Sequence, residues 1–177
     1  VILSQLAYVN FRDVIPSVQM NKGITLKAAA QLFFDLHTEE ELMQDKSFIK
    51  DAPKLLKKAA QTNRFRDVIL SDYVDMVDET LEKQFGAFHI KLSPQCTYVA
   101  FRGTDDTLVG WKEDFNMSFI SPVPSQEDAV KYLDDTCSYI RGKLYVGGHS
   151  KGGNLAIYSA IHCSKRVRKK IQCVYNN

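Results

Sequence analysis

Leu144-Tyr145-Val146-Gly147-Gly148-His149-Ser150-Lys151-Gly152-Gly153-Asn154 is the stretch whose reading decides the fold. Residues 144–146 form a short apolar run suited to a buried strand, and two glycines permit a sharp turn. Residues 154–162, with Ala156, Ile157 and Ala160, then read as a buried helix. Strand, tight turn and helix follow in that order. Inside the turn, Gly148-His149-Ser150-Lys151-Gly152 has the Gly-x-Ser-x-Gly spacing of a nucleophile elbow. The nucleophile of such an elbow sits on a strained turn, and glycines two before and two after keep side chains out of the way of strand and helix. A chain of this composition offers about 0.03 chance matches to that spacing. The competing reading is a glycine-rich turn that holds an anion at the helix N-terminus.

Upstream, Pro124 followed by Ser125 as N-cap, with Asp128 three residues on, opens a helix through Ala129, Val130, Leu133, Cys137 and Ile140 that ends near Gly142. Downstream, residues 171–175 resemble one more strand, so strand-helix-strand units build a parallel sheet. Before these, Phe88, Ile90 and Leu92 alternate with Ala87, His89 and Lys91 as a half-buried strand. Ser93-Pro94-Gln95 supplies a turn, and Cys96–Phe101 pairs back as a hairpin. The first half reads as helical. Thr25 caps Leu26–Leu36, Thr38 with Glu41 makes a capping box, and Asp51 with Pro53 opens a helix over 54–61. Tyr73, Val74, Met76, Val77 and Leu81 are spaced for another helix within 72–85, with Asp75, Asp78, Glu79 and Glu82 on its solvated side. The expectation is one α/β domain over 1–177: a helical N-terminal part and a mostly parallel sheet flanked by helices.

Composition excludes several classes. Of 177 residues, 45% are hydrophobic and 25% charged, as in an ordinary globular domain, and a net charge of +2 gives no reason to expect nucleic acid as a partner. No window is apolar enough to span a bilayer, and the first residues lack a signal peptide's basic flank, so a cytoplasmic location is expected. Cys96, Cys137, Cys163 and Cys173 show no metal-ligand spacing and read as free thiols; no metal or cofactor is implied. The basic run 166–170 reads as surface charge favoured at a helix end, with peripheral contact to anionic lipid as the other reading.

A hydrolytic serine needs two donors for the oxyanion. One comes from the backbone N–H after the nucleophile, here that of Lys151, and one from an earlier strand-loop. Phe101-Arg102-Gly103-Thr104 ends the preceding strand, where glycine lets the backbone approach and Thr104 offers both N–H and O–H. The alternative for Thr104-Asp105-Asp106 is an ordinary turn or N-cap.

Phe101-Arg102-Gly103-Thr104 followed by Trp111-x-x-Asp114, with Gly148-His149-Ser150-x-Gly152 downstream, resembles the class-three lipases of the α/β-hydrolase fold. It is closer still to a group of bacterial lipase-like proteins. The likeness covers mainly residues 85–177. It implies that Thr104 contributes to the oxyanion hole, that Asp114 supports it, and that Trp111 is structural, near a lid. Lys151 stands where those lipases usually carry an apolar residue.

That fold orders its triad as Ser, then acid, then His. Only 27 residues follow Ser150, with no Asp or Glu among them. His162 lies ~18 Å along the same helix at ~1.5 Å per residue and cannot be the base. His149 adjoins Ser150 but reads as a packing or hydrogen-bonding residue, and His89 and His37 as structural or solvated. Two readings follow: the C-terminal part of the fold lies beyond Asn177, in keeping with a first Met at Met20, or the module has lost its triad and binds something. The first is the expectation. It describes a serine esterase or lipase-like, lysophospholipase-like hydrolase of small ester or lipid substrates, working through an acyl-enzyme on Ser150 with Thr104, Lys151 and Asp114 in support. A silent binding module, or a thioesterase or peptidase with the same nucleophile, are the alternatives.

Overall fold

In the computed structural model, which describes residues 1–18, 22–44, 51–104 and 108–177, six strands form one mixed sheet in sequential order. Strands β1 (Gly23–Thr25), β2 (Ile69–Asp78), β3 (Lys83–Ser93) and β4 (Cys96–Phe101) pair antiparallel. Strands β5 (Lys143–Gly148) and β6 (Ile171–Asn176) continue from β4 in parallel. The expected mostly parallel sheet is therefore corrected: only the β4–β5–β6 half is parallel. The difference has a physical source, since strands joined by tight turns pair antiparallel while parallel neighbours need a crossover helix. Here α6 (Pro124–Cys137) crosses from β4 to β5, and α7 (Lys151–His162) with the short α8 (Lys165–Arg168) from β5 to β6.

The remaining helices lie in the first third and after β4: α1 (Ile2–Gln5) with a 3₁₀ turn over Leu6–Tyr8, α2 (Leu26–Leu36), α3 (Glu39–Gln44), α4 (Ala52–Gln61) and α5 (Leu108–Asn116). Two of the expected caps, at Thr25 and Thr38, are in place. Thr25 Oγ1 accepts the Ala28 N–H at 3.2 Å, and Thr38 and Glu41 exchange the two bonds of a capping box at 3.2 and 2.8 Å. Asp51 precedes α4, but its carboxylate pairs with Lys54 at 2.9 Å and makes no cap bond. Ser125 is not an N-cap. Val123 holds that position, Pro124 is the first helical residue, and Gln126 Oε1 accepts the Val123 N–H at 3.1 Å. The helix also stops at Cys137, short of Gly142.

The helix expected over 72–85 does not exist; those residues are the end of β2, a turn and the start of β3. Register between β2 and β3 shifts between Ser71 and Val74, where Asp72 adopts φ 57°. The irregularity breaks the two-residue alternation, so that Tyr73, Val74, Met76 and Val77 mimic helical spacing. The Asp78 carboxylate accepts the Thr80 and Leu81 N–H groups and folds the turn.

Both sheet faces are covered. Tyr98 and Ala100 of β4, with Phe88 and Ile90 of β3, join Leu26, Phe33 and Leu56 on one face. Val99 and Phe101, with Phe85 and Ala87, join Leu133, Leu144, Val146 and Leu155 on the other. β3 is thus buried on both sides rather than half-buried, and His89 is enclosed with it. All four cysteines are free. No helix among the described residues is long and apolar enough to cross a membrane.

Candidate active site

Three strand ends meet at one edge of the parallel half-sheet. Gly148 is in register with Phe101 of β4 and Asn176 of β6, so the residues after each strand converge there, as at the carboxyl ends of other α/β sheets. Ser150 follows β5 at φ 56°, ψ −124°, a conformation that residues with a Cβ rarely hold. Its side chain is exposed. Its N–H donates to the Asn177 carbonyl at 2.9 Å, and the Asn177 N–H returns to Gly148 at 3.3 Å, which fixes the turn against the end of β6.

Both elbow glycines are sterically required. A Cβ on Gly148 would stand 2.2 Å from the Gly152 carbonyl carbon, and one on Gly152 would stand 2.4 Å from the Phe101 oxygen and 3.0 Å from the Gly103 nitrogen. The Phe101-to-Thr104 segment therefore packs directly on the first turn of α7. Lys151 is the first helical residue, so its N–H has no carbonyl within the helix to reach, and the helix dipole adds positive potential there.

Thr104 is buried, and its hydroxyl donates to Asp114 on α5. The structure thus brings these two sequence-predicted residues together. The ordinary-turn alternative for Thr104 runs into Asp105 and Asp106, outside the described residues. Trp111 is 53% exposed on α5, alongside exposed Leu108 and Phe115.

Lys151 is placed as expected, but its side chain makes contacts the sequence did not announce. The ammonium is fully buried and donates to the Gln84 carbonyl at 2.7 Å, Gln84 Oε1 at 3.0 Å and Glu113 Oε2 at 2.8 Å. Burial pushes its pKa down, while Glu113 and Asp114 oppose that shift. Arg102 reaches across β3 beside Gly86 to Asp75 of β2, so Asp75 is part of a half-buried ion pair and not of a solvated face.

Each histidine is engaged elsewhere. His149 Nδ1 lies 3.2 Å from the Tyr8 hydroxyl, His162 stacks on Tyr158, His37 tilts against Phe33, and His89 faces Asp72 and Thr136. Tyr8 is another residue missed from sequence. Burial, reinforced by Asp114, pushes its pKa up to about 12, so it stays a neutral donor within 3.3 Å of the His149 carbonyl. Among the described residues no cluster of three or more His, Cys, Asp or Glu is arranged to hold a metal.

A model of the family described as Mbeg1-like matches residues 59–177. The crystal structure of M37 lipase is similar at 15% identity and a TM-score of 0.43, over 99% of this chain and 57% of that one. The chain spans 57% of that lipase's length. No curated protein matches the chain.

Proposed function

Because the chain belongs to the Mbeg1-like family, a lipase-like family, we propose that it acts as a serine hydrolase of carboxylic esters with Ser150 as nucleophile. The observation that carries this reading is the backbone of Ser150: φ 56° on an exposed serine, between two glycines that leave no room for a side chain. Strain of roughly 1–3 kcal/mol persists at such positions because the surroundings enforce it, and it aims Oγ away from both strand and helix.

In the proposed reaction Ser150 Oγ attacks the ester carbonyl, the alcohol leaves, and water hydrolyses the acyl-enzyme. The Lys151 and Thr104 N–H groups bind the developing oxyanion, while Asp114 accepts the Thr104 hydroxyl proton and holds that residue in place. The reaction also needs an imidazole oriented by a carboxylate at Ser150, and the four histidines of this sequence contact Tyr8, Tyr158, Phe33 and Asp72. The second reading is a catalytically silent module of the same fold. Exposed Leu108, Trp111 and Phe115 share one face of the helix that carries Asp114, which supports an acyl or lipid substrate.

The two readings separate in the full-length protein. Hydrolysis of a short-chain p-nitrophenyl ester that disappears in Ser150→Ala supports the hydrolase, and turnover unchanged by that substitution contradicts it.

A further inference from the structure

Helix α5 has little apolar surface with which to hold its place. Of its nine residues only Gly110 and Glu113 are buried, while Leu108, Trp111 and Phe115 face outward. Polar contacts help to hold it. The exposed Lys112–Glu82 pair at 2.9 Å is the kind that contributes little, whereas two consecutive carboxylates, Glu113 and Asp114, reach inward to other elements.

Glu113 gathers three elements. Its Oε2 accepts the Lys151 ammonium at 2.8 Å and the Gln84 N–H of β3 at 3.0 Å, and its Oε1 accepts the Ser125 N–H of α6 at 3.0 Å. All three protons of the ammonium are used, since Lys151 also donates to the Gln84 carbonyl and Oε1. Gln84 Nε2 in turn donates to the Gly103 carbonyl at 3.4 Å, next to Thr104. Asp114 accepts from the Thr104 side chain. One helix therefore grips, through adjacent carboxylates, the side chains of both residues whose N–H groups would bind the oxyanion in the proposed reaction.

We propose that the Lys151–Glu113 pair is a positioning device for the oxyanion site, locking α5 to the nucleophile elbow so that the Lys151 and Thr104 donors keep a fixed separation. The inference rests on the hydrolase reading above. An ion pair suits this task better than an apolar contact. Burying it costs desolvation that well-packed apolar residues would avoid, but its directional bonds set the rotation and register of α5.

The test uses full-length protein, with active sites counted by end-point fluorophosphonate labelling, and compares wild type with Glu113→Gln, Lys151→Met and the double variant. Expected is a fall of about 10- to 100-fold in kcat per labelled site in each single variant, with KM for a short-chain ester within about twofold. The double variant should be no worse than the poorer single, since both cut the same link. Fewer labelled sites with unchanged kcat per site would show a role in folding alone and overturn the inference. Wild type supplies a reading that needs no variant. The groups facing the ammonium are Glu113, Asp114 and Arg102, and kcat should fall as pH rises through the lowered pKa of Lys151. A kcat flat to pH ~10.5, the ordinary lysine range, contradicts the proposal. A wild type that neither labels nor turns over ester defeats the hydrolase reading itself, and the inference with it.

Discussion

The Thr104 hydroxyl donates to the Asp114 carboxylate, joining the loop after β4 to helix α5 across ten residues of sequence. A hydroxyl has one proton, and giving it to a carboxylate leaves the backbone N–H of Thr104 as the donor available to an oxyanion. Thr104→Val keeps that N–H and the branched shape but frees the loop. An expected fall of about 10- to 100-fold in kcat follows, and Asp114→Ala should lose about the same. The double variant should lose no more than either, which steady-state ester kinetics will check.

Strain at Ser150 predicts a split between stability and activity. Ser150→Gly removes the Cβ that disfavours φ 56°, so the variant should be more stable than Ser150→Ala by about 1 kcal/mol, or about 2–4 °C in Tm, while both are inactive. Gly152→Ala points the other way. Its Cβ would meet the Phe101 oxygen at 2.4 Å, and a loss of about 3 kcal/mol or more by denaturant unfolding is expected.

His89 makes stability depend on pH. Burial alone would lower its pKa, but Cys137 and Asp72 facing the ring raise it to about 9. The geometry agrees: Nδ1 lies 3.3 Å from the Asp72 carboxylate, and Nε2 lies 3.0 Å from a Thr136 oxygen whose own hydrogen goes to the Tyr132 carbonyl. Both ring nitrogens therefore donate. A histidine whose folded pKa is raised contributes stability that is complete below its unfolded value of about 6.5 and is lost as pH rises through about 9. Wild type should lose Tm relative to His89→Gln across that window; a constant difference between pH 6 and 10 contradicts the assignment.

The apolar surface of α5 and of the turn that follows it should read chain length. Phe115 and Phe119 are 67% and 75% exposed with ring centroids 5.1 Å apart. Replacing both with serine should leave stability within about 0.5 kcal/mol, as for other exposed positions. It should raise KM for a long-chain ester about tenfold while leaving a short-chain ester unchanged, as paired kinetics will show.

The elbow was legible because its determinants are local: steric contacts two residues either side of Ser150 demand glycine, and the apolar runs around them set strand and helix. The hairpin of β3 and β4 and the caps at Thr25 and Thr38 were readable for the same reason. What failed depended on distance or on a broken period. The irregularity at Asp72 turned the alternation of β2 into a false helix, and burial of β3 on both faces needs helices from both ends of the chain. The Lys151–Glu113 pair bridges 38 residues and leaves no periodic signal. Its one trace was a lysine where the family's resemblance led one to expect an apolar residue.

The central claim is that Ser150 is an activated nucleophile. Full-length protein treated with a fluorophosphonate probe, digested and mapped by mass spectrometry tests it most directly. The account predicts one adduct, on the peptide carrying Ser150, absent from Ser150→Ala and from denatured protein. Folded wild type that acquires no adduct there would contradict it.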